Sequence, residues 1–131
     1  EFHYQRFPTF RIHQPDNVGV FAFHKDKHYN HSEHEINIFM PLTKAYDTNT
    51  VWAESEEDKG DFSPMELEYG ELFMWDGANL NHGSKTNVTN QTRVSFDYRI
   101  LPVEKYNESH VKSSITNAKS MSIDNYFQKR L

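Results

Sequence analysis

A chain of 131 residues, 36% hydrophobic and 15% aromatic, has material for one domain and not two, and its aromatics suit a β-sandwich lined by Phe, Tyr and Trp. A formal charge of −5 offers no basic footprint for nucleic acid, and the absence of cysteine excludes disulfides and thiolate metal ligation. No apolar run approaches the length of a membrane span and the first residues, Glu1-Phe2-His3-Tyr4-Gln5-Arg6, lack a signal-peptide core, so the expected location is the cytoplasm.

Glu1 to Gly19 mixes aromatics with Arg, His and prolines, which predicts an edge strand or two. Val20 to Tyr29 opens as a Val/Phe-rich strand and carries His24 and Asp26; a polar turn, His28 to Ser32, follows. From His34 to Thr43, Ile36, Ile38, Met40 and Leu42 alternate with Glu35, Asn37, Phe39 and Pro41, the period of two of a strand. Lys44 to Thr48 reads as a connection, Val51-Trp52-Ala53 as a short strand, and the charge run Glu54 to Asp61 as a solvated loop. Leu67 to Gly77 reads as two strand pieces bent at Gly70, and Leu80 to Lys85 and Gln91 to Leu101 as two further strands. Beyond Pro102 the chain turns polar, with a short helix predicted over Ser122 to Leu131 and Ser122 as its N-cap. Many short strands separated by turns predict an antiparallel sandwich or barrel.

On a strand, His24 and Asp26 share a face, because side chains at i and i+2 point the same way. With 8 His and 19 acidic residues, about one such pair arises by chance, so the motif alone is weak. A distant set strengthens it: His82 lies in Asn81-His82-Gly83-Ser84, and Arg93 and Ser95 follow in Thr92-Arg93-Val94-Ser95-Phe96-Asp97-Tyr98-Arg99. Two His and one carboxylate form the facial triad of non-heme Fe(II) oxygenases, which leaves the opposite face of the metal open. His28, His31 and His34 lack the spacing of a second metal site and read as solvated turn residues. The four Asn-x-Ser/Thr triplets, at Asn30, Asn87, Asn90 and Asn107, read as products of an Asn- and Ser/Thr-rich composition.

Taken with Tyr29, Glu35-Ile36-Asn37, Pro41-Leu42-Thr43, Asn49-Thr50-x-Trp52-x-Glu54-Ser55, Tyr69-Gly70-Glu71, His82-Gly83 and Arg93-x-Ser95-Phe96-Asp97-x-Arg99, the chain from about Arg11 to Pro102 resembles the Fe(II)/2-oxoglutarate-dependent dioxygenases. Within them it looks like the phytanoyl-CoA-dioxygenase-like branch that includes streptomycin-biosynthesis-type hydroxylases. The resemblance implies an all-β, cupin-like double-stranded β-helix, or jelly roll, with the short helical tail. It would be one oxygenase domain spanning 1–131, with lead-in strands over 1–19 and a C-terminal extension over 103–131. Relatives in this branch usually carry helices before the first metal strand, so the chain reads as a minimal or truncated form.

The resemblance also implies that His24, Asp26 and His82 hold Fe(II), and that 2-oxoglutarate chelates the metal while Arg93 pairs with its far carboxylate through a planar fork of donors. Ser95, Asn37, Asn49 and Thr50 would line the co-substrate pocket, and Tyr29, Trp52 and Arg99 would meet a small-molecule substrate. Hydroxylation with release of succinate and CO2 is the expected outcome, favoured over halogenation because the metal carboxylate Asp26 is present. Two non-oxidative readings compete on the same architecture: a cupin-like sugar epimerase, and a glycan- or small-molecule-binding jelly roll. Trp52 and Trp75 read equally well as core packing.

Strand parity carries a further expectation. If Arg93, Ser95 and Asn37 face the pocket, then Val94, Phe96, Tyr98 and Ile100, with Ile36, Ile38, Met40 and Leu42, form outward apolar rows that need a cover. The segment after Pro102, or a second copy of the chain as a homodimer, is expected to provide it.

Overall fold

The structure is a computed structural model that describes residues 1–19 and 22–129. Val20 and Phe21, the opening of the expected metal strand, and Arg130 and Leu131, the end of the expected helix, lie outside the described residues.

The fold is built on one long strand. In Arg93–Pro102 (β8), β-branched and aromatic residues alternate with polar ones until Pro102, which cannot donate to a ladder. One edge of β8 pairs antiparallel with Ile36–Pro41 (β3), from Ile36 opposite Ile100 to Pro41 opposite Ser95. Its other edge takes two short strands in succession: Phe2–Gln5 (β1) lies opposite residues 100–102, and Thr9–His13 (β2) opposite residues 93–97. Between them the Gln5 side chain accepts the Arg99 backbone N–H at 3.0 Å, satisfying a donor that neither strand reaches. Phe73–Trp75 (β6) extends the sheet beyond β3, and Phe127–Gln128 (β9) extends it beyond β1. A separate three-stranded sheet runs Ser63–Pro64 (β5), Val51–Ala53 (β4), His82–Ser84 (β7).

Two sequence expectations are corrected here. Among the described residues the double-stranded β-helix is replaced by a six-stranded antiparallel sheet beside a three-stranded one, with only short 3-10 turns as helix. Apart from β8 and β3 the strands are short, down to two residues in β5 and β9, too short to wind the ladders of a jelly roll. The expected tail helix is absent from residues 122–129. Ser122 accepts the Tyr126 and Phe127 N–H groups, Asp124 takes a φ of 67°, and the chain doubles back into β9. That turn buries the Phe127 ring and pairs it with Gln5, a larger apolar gain than one exposed helical turn provides.

The two faces of the large sheet differ in kind. The outer face carries Ile36, Ile38, Met40, Val94, Phe96, Tyr98 and Ile100, extended through register partners to Tyr4, Phe10, Ile12 and Met74. Ile38 at its centre is buried, whereas Phe10, Ile12 and Met74 are more than half exposed. The tail does not lie on this face: its Ser114, Thr116, Asn117 and Tyr126 line the cavity on the opposite side. On that inner side a small apolar cluster of Phe39, Ala45, Ala53 and Met65, packed by Val51, Leu67 and Trp75, ties the two sheets together. Among the described residues, buried polar and charged side chains outnumber buried apolar ones, so the inner face is mostly site and only partly core.

Candidate metal centre and anion pocket

His24 and His82 meet through an isolated antiparallel bridge, each backbone N–H donating to the other's carbonyl, at 2.8 and 2.9 Å. The chain then turns at Lys25, and Asp26 opens the 3-10 turn Asp26–Tyr29. His24 and Asp26 therefore do not converge as two positions of one strand, as the parity argument supposed; a bridge and a turn bring them together. The His24 and His82 Nε2 atoms stand 3.3 and 3.4 Å from the same carboxylate oxygen, Asp26 Oδ1, and the three ligand atoms lie within 4.8 Å of one another.

The surroundings orient each ligand. Nδ1 of His24 bonds the Ala22 carbonyl at 2.8 Å, and Nδ1 of His82 bonds the Leu80 carbonyl at 2.9 Å. A carbonyl only accepts, so Nδ1 carries a proton in each ring, and Nε2 donates to Asp26 when the ring is protonated and turns a lone pair toward the centre when it is neutral. Asp26 Oδ2 accepts from Arg99 Nη2 at 2.7 Å, Arg99 Nε at 3.0 Å and Asn37 Nδ2 at 2.9 Å, which leaves Oδ1 to the imidazoles. The donor set and its orientation fit one divalent metal ion. Burial alone would raise the Asp26 pKa, but the Arg99 guanidinium and hydrogen bonds to both imidazoles hold it well below the usual carboxylate range. For His24, burial is likewise outweighed, by the hydrogen bond to Asp26, and its pKa is raised.

The centre opens into a cavity of about 330 Å³ whose wall also includes Arg93, Phe39, Trp75, His13 and Tyr29. Arg93 is buried at 2% exposure; Nε donates to the Asn49 carbonyl at 2.6 Å and Nη1 donates to Ser95 Oγ. Among the described residues no carboxylate pairs with it, since Asp97 on the same strand is taken by Arg11. Burial, with Arg11 nearby, brings the Arg93 pKa down to about 10, so it remains a cation at neutral pH.

The structure thus brings His24, Asp26 and His82 together and sets Arg93 on the wall of the same cavity, with Ser95 off the wall as an acceptor for Arg93. Asn37 and Arg99, expected at the co-substrate and the substrate, both bond Asp26 instead. Asn49 meets Arg93 through its backbone, while its side chain accepts the Tyr46 N–H to close a turn. Thr50 donates to the Met65 carbonyl, and Trp52 donates to the Asp47 carbonyl beneath the Lys85 ammonium; neither lines the cavity. Tyr29 packs edge-on against the His24 ring on the cavity wall. His28 and His34 are exposed, but His31 bonds the buried carboxylate of Glu35. Sequence reasoning assigned no role to Glu35, Gln5 or Tyr126; an acid preceding an apolar alternation was the one visible signal, at Glu35.

These features define a candidate mononuclear metal site on an antiparallel β scaffold. No family model matches the chain. It is 42% identical over 109 residues to the streptomycin biosynthesis protein StrG of Streptomyces griseus, an alignment covering 83% of this chain and 51% of StrG. The chain therefore spans about half the length of the curated relative it matches. Among solved structures it is similar in fold to ThoJ, named a non-heme monooxygenase (TM-score 0.64, 15% identity, 87% of this chain and 52% of ThoJ). AviO1 from Streptomyces viridochromogenes Tue57 gives a TM-score of 0.59 at 17% identity, over 77% of this chain and 53% of AviO1.

These findings correct the function read from the sequence. ThoJ is named a non-heme monooxygenase, and neither it, StrG nor AviO1 carries a dioxygenase or 2-oxoglutarate name, so the 2-oxoglutarate dioxygenase assignment is withdrawn. None of these three is named as a sugar epimerase or glycan-binding module, so the two alternatives gain no support. What stands is coarser: the similar proteins are enzymes. Among the described residues no helix is long and apolar enough to cross a membrane.

Proposed function

We propose that this chain carries the centre of a metal-dependent monooxygenase acting on a small molecule, with Fe(II) held by His24, Asp26 and His82. The observation that carries the reading is the convergence of two imidazole Nε2 atoms on one carboxylate oxygen, with each Nδ1 tied to a backbone carbonyl. The name of the similar ThoJ structure, which includes a nickel complex, supports it. When bound, the metal would supply activation of O2.

The chain's own groups do the rest. Asp26 offers one anionic oxygen, and Arg99 and Asn37 fix its plane. The buried, acid-less Arg93 receives an organic carboxylate, with Ser95 bracing its fork. A monooxygenase places one oxygen atom in its substrate and reduces the other to water with two electrons from a co-reductant; an anionic co-reductant would bind at Arg93. The polar wall of Ser114, Thr116 and Asn117 faces the substrate, taken from small-molecule biosynthesis as the name of StrG suggests, in the cytoplasm.

Anaerobic titration with Co(II) or Fe(II) tests the centre. One equivalent should bind, and Asp26→Ala should abolish binding while circular dichroism stays unchanged; undiminished binding in that variant would sink the assignment. A series of dicarboxylates and 2-oxo acids, 2-oxoglutarate included, then tests Arg93 by whether any of them perturbs the Co(II) spectrum.

A further inference from the structure

Glu35 is a buried carboxylate, 2% exposed, that faces no metal position. Its Oε1 accepts the Ser32 N–H at 2.9 Å, its Oε2 accepts from His31 Nδ1 at 2.8 Å, and Arg99 Nε lies 3.7 Å from the same Oε2. Arg99 does not grip Asp26 in the common side-on way, one nitrogen to each oxygen. Both Nε and Nη2 point at Oδ2, while Nη1 donates to the Tyr126 hydroxyl at 3.1 Å. With Asn37 added, Oδ2 receives three donors, more than its two in-plane lone pairs accommodate singly, and has no capacity for a metal.

We infer that Glu35 is a positioning residue that acts through Arg99: by holding the guanidinium against Oδ2 it limits Asp26 to coordination through Oδ1 alone, and its charge offsets the cation beside a divalent ion. This rests on the metal-site reading above. One-oxygen coordination keeps a position at the metal open that a two-oxygen carboxylate would fill. It also explains why a carboxylate is buried here at all, since a buried acid without a paired cation is expensive.

The Co(II)-loaded protein tests the inference, because the visible bands of Co(II) weaken as its coordination number rises. Glu35→Gln keeps the size of the side chain and an acceptor for Ser32 but removes the charge. It should weaken Co(II) binding about 10- to 100-fold, the range for loss of an outer-shell partner, and should lower and shift the visible band as Oδ2 reaches the metal. Arg99→Lys keeps the charge and loses the fork, and should give the same change of band, so the test survives if one variant fails to fold. If the wild type binds no Co(II), the metal reading itself fails and takes this inference with it. If the wild type binds and Asp26→Ala does not, but Glu35→Gln and Arg99→Lys keep the wild-type affinity and spectrum, Glu35 serves only the fold and the inference is overturned.

Discussion

Arg93 and Arg99 leave the same strand on the same face, about 20 Å apart along the backbone at 3.3 Å per residue, and meet opposite surroundings. Arg99 has Asp26 in direct contact and Glu35 just beyond; despite burial, which works the other way, its pKa is pushed up. Arg93 has a carbonyl and a hydroxyl but no acid, and burial brings its pKa down to about 10. The difference separates two uses of a buried guanidinium. One is neutralised inside the protein and serves as part of its frame; the other is held desolvated with no carboxylate in direct contact among the described residues, a condition suited to an external anion.

The comparison breaks most visibly in stability. Arg99→Met strands Asp26 and Glu35 in the interior and should cost about 3–5 kcal/mol in chemical denaturation of the metal-free protein. Equal stability to the wild type would mean that the two acids find other partners. Arg93→Gln should weaken binding of a carboxylate by about 2–5 kcal/mol while metal affinity holds, as seen by titrating each separately; loss of both together would merge the two arginines into one structural role. By contrast, Arg93→Met should shift stability by no more than about 1 kcal/mol, since no paired acid is left behind.

The smallest effect is one of pH. In the metal-free protein the raised pKa of His24 means that its protonated form stabilises the fold below the ordinary histidine value, a contribution lost as pH rises through the raised value. A metal ion competes with that proton, so its apparent affinity should fall by about tenfold per pH unit below the raised value, measured by Co(II) titration from neutral to mildly acid pH. Asp26 does not contribute to this slope: its depressed pKa keeps it anionic there, and its stabilisation is lost only as strong acid takes the pH through that value.

What the sequence made legible follows from what each pattern encodes. Residue type and spacing, taken with the family resemblance, singled out His24, Asp26, His82 and Arg93, which the structure brings to one cavity. Strand parity put Asn37 and Ser95 on the inner face with Arg93, but parity fixes a face and not a position along it, so Asn37 and Arg99 were sent to the wrong partners. Thr50 precedes and Trp52 lies within a three-residue strand, too short for an alternation to orient them. The same brevity hid the true architecture, since strands of two or three residues leave no period to read. The tail turn at Ser122 was missed because helix-capping chemistry and a tight turn begin with the same residue types.

The central strand also sets the order in which the molecule can assemble. β8 pairs with β3, β1 and β2, so the larger sheet joins residues 2–13 to residues 93–102 across most of the chain. As the polypeptide leaves the ribosome, β1, β2 and β3 emerge without the partner that joins them, and the apolar row of Ile36, Ile38 and Met40 waits until Arg93–Pro102 follows. Closing so long a loop before the β1 and β2 ladders with β8 can form makes folding slow and dominated by non-local contacts. A chain interrupted before residue 93 would hold every candidate metal ligand and still be unable to form its largest sheet.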